Sequence, residues 1–199
     1  DAYSTLEATL AEQTLLQAGD ANALAERWEA LSNALRTTPA VVGAYAQRAA
    51  VLHWDDAAVH SIEQALHAQW DESLVRLYGS LPLEKYDARL GNARRWLTQY
   101  PDSPGLLLTL ARLLRHQQQW AQAEEFLHRA VANGAGSEAW EELGHGFAAS
   151  GDLLSAQQCY ANALRTARGE PVQDGMPQQS LLEPILATYN TPPTDTRPT

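Results

Sequence analysis

The chain is predicted to be all-α, a solenoid of about five stacked helical hairpins with a C-terminal capping segment, and three observations carry that prediction. Ala, Leu, Gln, Glu and Arg dominate the composition and β-branched residues are few, which favours helix nearly everywhere. The stretch 137–164, SEAWEELGHGFAASGDLLSAQQCYANAL, reads as two short amphipathic helices joined by a Gly-containing turn. Its apolar positions are Trp140, Leu143, Gly144 and Phe147 on the first helix, then Ala156, Tyr160 and Ala163 on the second. Moving back 33 residues gives Leu107, Leu110, Ala111 and Leu114, then Ala123, Leu127 and Ala130. One hairpin cannot bury its apolar faces alone, so a repeat of this length predicts an array.

The spacing W-x2-L-G-x2-Y followed by A-x3-F is that of the tetratricopeptide repeat, here with Phe and Tyr exchanged between the two aromatic slots. Small residues at Gly144 and Ala156 let helices approach closely, and Trp140, Phe147 and Tyr160 fill the remaining space.

The elements follow in order as hairpins over about 3–37, 39–70, 71–101, 104–136 and 137–168. Tyr3 to Ala18 reads as a helix, closed by Gly19 and followed by Asp20 as an N-cap. Leu24, Trp28, Leu31 and Leu35 form one apolar stripe, predicting a single second helix that stops before Pro39. In the second hairpin Ala58, Ile62 and Ala65 precede Ala123, Leu127 and Ala130 by 65 residues, close to two periods, so one further repeat lies between. Asp55 or Asp56 is expected to cap the second helix there.

The intervening repeat is degenerate. Asp71 caps a short helix, Pro82 interrupts it, and a longer helix runs from about Glu84 to Tyr100. Trp96 takes the slot held by Ala65 and Ala130 in the neighbouring repeats, which implies splayed helices. Ser103 with Pro104, then Ser137 and Asp152, provide the remaining helix starts. Residues 169–199 read as a linker, a short capping helix over 180–189 built on Leu181, Leu182, Ile185 and Leu186, and an extended tail.

Charge bounds the function. The formal net charge is -10, from 24 acidic and 14 basic residues, which argues against nucleic-acid binding and against docking on an anionic bilayer. Lys85 is the only lysine among the cations, a bias assigned to genome composition. Cys159 is the only cysteine, so no disulfide forms within the chain, and its place in a repeat helix marks it as a small buried residue. No apolar run approaches the ~20 residues of a membrane span. Asp1 in place of Met suggests a piece cut from a longer protein.

No phosphate loop, nucleophile elbow or dinucleotide fingerprint is present, and Glu124-Glu125 and Glu141-Glu142 read as solvated charges. The expectation is therefore a non-enzyme with no metal and no cofactor. The residues expected to meet a partner are those off the packing stripe of the first helices: Leu108, Arg112, Arg115 and His116, then Glu138, Glu141 and His145. The competing reading is a tetrapyrrole carrier or sensor, with His60 and His67 as the candidate ligands and His116 or His145 behind them. His60 and His67 share a helix face but lie ~10 Å apart at ~1.5 Å rise per residue, too far for one ion.

The segment VVGAYAQRAAVLHWDDAAVHSIEQALHAQWDESLVRLYGSLP, followed by LLLTLARLLRHQQQWAQAEEFLHRAV and AWEELGHGFAASGDLLSAQQCYANAL, resembles the HemY proteins of proteobacteria, which are associated with haem and porphyrin biosynthesis. The likeness covers roughly Leu24 to Arg168. It implies a non-catalytic scaffold or regulator that gathers haem-pathway enzymes. It also implies an inner-membrane protein anchored by two N-terminal spans, with the repeats on the cytoplasmic side. A tetratricopeptide adaptor unrelated to haem is the remaining alternative.

Overall fold

The computed structural model describes residues 2–173, and these form eleven α-helices with no strand among them. They divide into two compact units, one up to Ala135 and one from Gly136.

The first unit contains nine helices. They are α1 (Ala2–Leu16), α2 (Ala21–Glu29), α3 (Asn33–Arg36), α4 (Pro39–Val51), α5 (Asp55–Ala68), α6 (Glu72–Ser80), α7 (Tyr86–Leu97), α8 (Pro104–His116) and α9 (Trp120–Ala132). The second contains α10 (Ser137–Ala149) and α11 (Leu153–Ala167). The first helices of successive hairpins, α4, α6, α8 and α10, start at 39, 72, 104 and 137, so the period holds through the degenerate repeat.

Five of the eleven described helices start on a side-chain cap. Asp20, Ser32, Asp71, Ser103 and Asp152 each accept a hydrogen bond from the backbone N–H three residues on. The stripe through Trp28 and Leu35 does not form one helix: α2 ends at Glu29, and the Ser32 hydroxyl starts α3 afresh by accepting from Leu35 N–H at 3.3 Å. Leu31 and Leu35 are accordingly half-buried, unlike fully buried Leu24. Asp55 and Asp56 do not cap α5. Trp54 holds the N-cap position without a side-chain bond, and the two carboxylates lie in the first turn, facing the positive end of the helix dipole. Ser137 is likewise the first helical residue, behind Gly136.

The turns between paired helices share a feature that the sequence conceals. His53, Lys85, Gln118 and Gly151 occupy equivalent positions and all have φ between 59° and 87°. Three of these four left-handed positions therefore carry a side chain.

First helices pack closest where α6 crosses α8. A Cβ on Gly79 would fall 2.7 Å from the Thr109 Cα, and one on Gly105 would fall 2.8 Å from the Glu72 carbonyl oxygen. The Thr109 hydroxyl donates to the Val75 carbonyl at 2.5 Å, and the Glu72 carboxylate accepts from Ser103 and from the Gly105 N–H, both at 2.9 Å. In the second unit Gly144 serves a different end: a Cβ there would lie 2.5 Å from the Tyr160 ring, so the glycine makes room for an aromatic side chain.

The degenerate repeat is splayed, as Trp96 implies. α7 packs on α8 and leaves its own partner α6. Trp96 fills the opening, 5.1 Å from Tyr78 and 5.8 Å from Trp70 between ring centroids, and Trp70 stacks on Tyr100 at 3.8 Å. Arg89 of α7 spans the rest. It is 2% exposed and donates to the carbonyls of Tyr78 at 2.8 Å, Leu83 at 2.7 Å and Leu81 at 3.4 Å. A cation here satisfies the Tyr78 carbonyl in the last turn of α6 and the Leu81 and Leu83 carbonyls just beyond it, and complements the negative end of the helix dipole.

The same device recurs. Arg27 donates to the Thr14 carbonyl at 2.6 Å, Arg48 to Ala18 at 2.6 Å and Arg129 to Pro101 at 2.9 Å. Of these four arginines only Arg89 uses several donors of the planar guanidinium fork at once, which one ammonium does not offer. Cys159 is buried, as its helix position requires. The predicted capping helix over 180–189 and the tail beyond it lie outside the described residues.

Candidate functional site

Within the first unit the first helices α1, α4 and α6 enclose a groove of about 230 Å³. It is lined by apolar Leu16, Ala40, Gly43, Ala44, Leu74 and Leu77, of which Gly43, Ala44 and Leu74 are buried, and by polar Glu12, Gln47 and Ser73. Sequence periodicity builds this arrangement. Gly43 sits on the stripe of α4 that faces α6, where a Cβ would meet Leu77 at 3.4 Å and Leu74 at 3.8 Å, and having no side chain it leaves the groove open. The volume is below the ~300–1,000 Å³ of sites that enclose a small molecule, and suits one or two side chains of an extended or helical segment.

The residues singled out from sequence lie elsewhere, in both units. Leu108 is fully buried and presents nothing to a partner; α8 is packed by α6, α7 and α9, and its apolar side chains close on nearly every side. Arg112 and Arg115 are half-buried on α8. His116 is exposed, but its ring stacks on Tyr86 of α7 at 4.6 Å, and neighbouring Gln117 bonds Asp87. That end of the strip therefore turns toward the second helix of the preceding hairpin and away from the groove of first helices.

In the second unit Glu138 is half-buried, and Glu141 and His145 are exposed on α10. His145 meets the Tyr160 ring of α11 edge-on at 5.6 Å. Glu142 is 8% exposed, so it is not the solvated charge its pairing with Glu141 suggested. The arginine strip belongs to the first unit and the glutamate strip to the second.

His60 and His67 are both exposed on α5. His60 lines a second cleft of about 360 Å³ between α5 and α7, together with Asp55, Glu63, Glu84, Arg89 and Asn92; His67 is not part of it. Polar bonds organise the cleft wall. The Tyr78 hydroxyl donates to Glu63 at 2.7 Å, and Asn92 Nδ2 donates to the same carboxylate oxygen. Burial, reinforced by that bond, holds the Tyr78 phenol well above its ordinary range, and burial lowers the Arg89 guanidinium from its ordinary value. Lys85 and Asp56 pair at 3.0 Å across the mouth, both largely in solvent, so the pair contributes little. Among the described residues no group of three or more His, Cys, Asp or Glu is placed to hold a metal ion.

Sequence reasoning missed the groove of α1, α4 and α6. Gly43 in the middle of α4 is its one sequence trace, and a lone helix glycine does not say which helices meet there.

Comparison with known proteins agrees with this architecture. The tetratricopeptide repeat family matches residues 85–143, from the turn before α7 into α10. The chain is thus a tetratricopeptide-repeat-containing protein, of a class whose helical hairpins generally mediate contacts between proteins. No curated protein and no solved structure matches the chain. No helix among the described residues is long and apolar enough to cross a membrane.

Proposed function

We propose that the chain is a non-catalytic adaptor that holds a segment of a partner protein in the groove of α1, α4 and α6. The observation that carries this reading is the apolar lining at Gly43, Leu74 and Leu77 beside polar Glu12, Gln47 and Ser73. An apolar anchor side chain inserts there, and the polar residues pair with the partner's backbone or polar groups. Arg112 and Arg115, and separately Glu138 and Glu141, are charged positions through which partners are selected.

The finer reading makes this the repeat region of a HemY-like protein that gathers haem-pathway enzymes at the bacterial inner membrane, through an anchor outside this sequence. What supports it is the likeness of the 41–82 segment.

The test is affinity capture with the intact protein against a Gly43→Met variant. A thioether chain at Gly43 occupies the groove; its Cβ would meet Leu77 at 3.4 Å, and the melting temperature reports whether the fold is retained. Loss of a defined partner at unchanged melting temperature supports the groove, and equal recovery removes it from consideration. Haem-pathway enzymes among the captured proteins support the finer reading, and their absence leaves the adaptor without that assignment. A haem titration without a Soret shift disposes of the carrier reading.

A further inference from the structure

The cleft of about 360 Å³ between the second helices α5 and α7 is framed by two bridges in register. Lys85, at the start of α7, pairs with Asp56 of α5 at 3.0 Å, and seven residues further along both helices Asn92 donates to Glu63. Val59 and Ala88 each stand three residues beyond the first bridge, and both line the opening. Ala88 is exposed, and its side chain is too short to close the space.

Two features of the lining are unmet. Asp55, Glu63 and Glu84 line the cleft, and none of them forms an ion pair with a cation among the described residues. Glu63 is fixed nonetheless: Tyr78 and Asn92, both neutral, donate to its Oε1, which orients the carboxylate and leaves Oε2 without a bond. The other feature is Arg89, 2% exposed in the cleft wall. Its two terminal nitrogens donate to main-chain carbonyls, while its Nε–H is buried without an acceptor, a costly state that a seated ligand can relieve. Four carboxylates stand against two cations in the lining, so the cleft attracts positive charge.

We propose that this cleft takes an arginine residue of a partner polypeptide. The incoming guanidinium meets the free oxygen of Glu63, its stem lies on Val59 and Ala88, and its main-chain carbonyl accepts from Arg89 Nε. Val59 precedes Glu63 by one helical turn, ~6 Å along the axis, which an arginine stem spans. A guanidinium is preferred to an ammonium because it is more weakly hydrated and gives up water more readily in a half-buried site. The site lies on second helices, and it does not depend on the groove of α1, α4 and α6.

The test titrates acetyl-arginine-amide into the full chain and follows backbone amides and the Asn92 side-chain amide by nuclear magnetic resonance. The expected result is saturable shifts confined to residues 55–63 and 83–92, with a dissociation constant in the millimolar range. Binding at least tenfold weaker is expected for acetyl-citrulline-amide, which lacks the charge, and for butylguanidinium, which lacks the carbonyl. Glu63→Gln keeps the oxygen that Tyr78 and Asn92 bond and is expected to weaken binding at least tenfold. Ala88→Leu, at an exposed position, is expected to block the cleft at unchanged melting temperature. No saturable shift, shifts that map elsewhere, equal binding of either analogue, or unchanged binding in both variants overturns the proposal. Tighter binding of free L-arginine than of the blocked residue overturns it as well, because a polypeptide is then not the preferred source.

Discussion

Replacing Gly79 by Ala tests the packing on which the first unit depends. The added Cβ would stand 2.5 Å from Thr109 Oγ1, 2.7 Å from its Cα and 2.8 Å from its Cβ. Rotating the Thr109 side chain cannot relieve a contact with backbone, so α6 and α8 must move apart. That separation costs ~1 to 3 kcal/mol as overpacking. It also stretches the Thr109 to Val75 hydrogen bond, worth a further ~0.5 to 1.5 kcal/mol. Gly79 is the penultimate residue of α6, so replacing it returns less than the ~0.5 to 1 kcal/mol of a mid-helix glycine. The balance is a loss of ~0.5 to 4.5 kcal/mol, read as a lower urea midpoint at unchanged slope. Gly91→Ala in α7 is the control, because nothing lies within 4 Å of its Cβ position; the propensity gain then stands alone, at ~0.5 to 1 kcal/mol of stabilisation. If Gly79→Ala is neutral or stabilising, the close crossing of α6 and α8 is wrong.

Arg89→Met keeps the apolar stem but strips the carbonyls of Tyr78, Leu81 and Leu83 of their donor. Each acceptor left buried and unpaired costs ~1 to 3 kcal/mol, so a drop of at least that size is expected in the same assay, and a neutral result contradicts the capping role. Gln118→Gly relieves a left-handed residue at φ 60° and should raise stability by up to ~1 kcal/mol; destabilisation would argue against that turn. The Tyr78 phenol is raised in the folded chain, so its contribution is fully present below the unfolded value of ~10 and is lost as pH climbs above it. Phenolate absorbance should show the Tyr78 signal appearing with alkaline unfolding, and Tyr78→Phe should remove that step; ordinary titration of every tyrosine before unfolding refutes it.

The two kinds of candidate site differ in how readable they were. The strip of Arg112, Arg115 and His116 follows from helical period, and period says which side of a helix a residue lies on. It does not say what packs there. Leu108 falls on the same side and is buried, because the displaced α7 joins α6 and α9 around α8. The groove at Gly43 depends on three helices from three hairpins, and no local pattern announces such a meeting.

Composition and the 33-residue period determined by themselves that this chain is all-α and built of tetratricopeptide-type hairpins. Helical spacing and small-residue slots are local, and each hairpin repeats the same demand. Trp96 in a small slot even foretold the splayed repeat. Tertiary structure decided what fills that splay, namely Arg89 across carbonyls in the last turn of α6 and just beyond it. It also decided which turns are left-handed without glycine, which glycine opens a groove and which shelters a ring. These outcomes depend on distances between side chains far apart in sequence, and such distances are set only when the helices have packed.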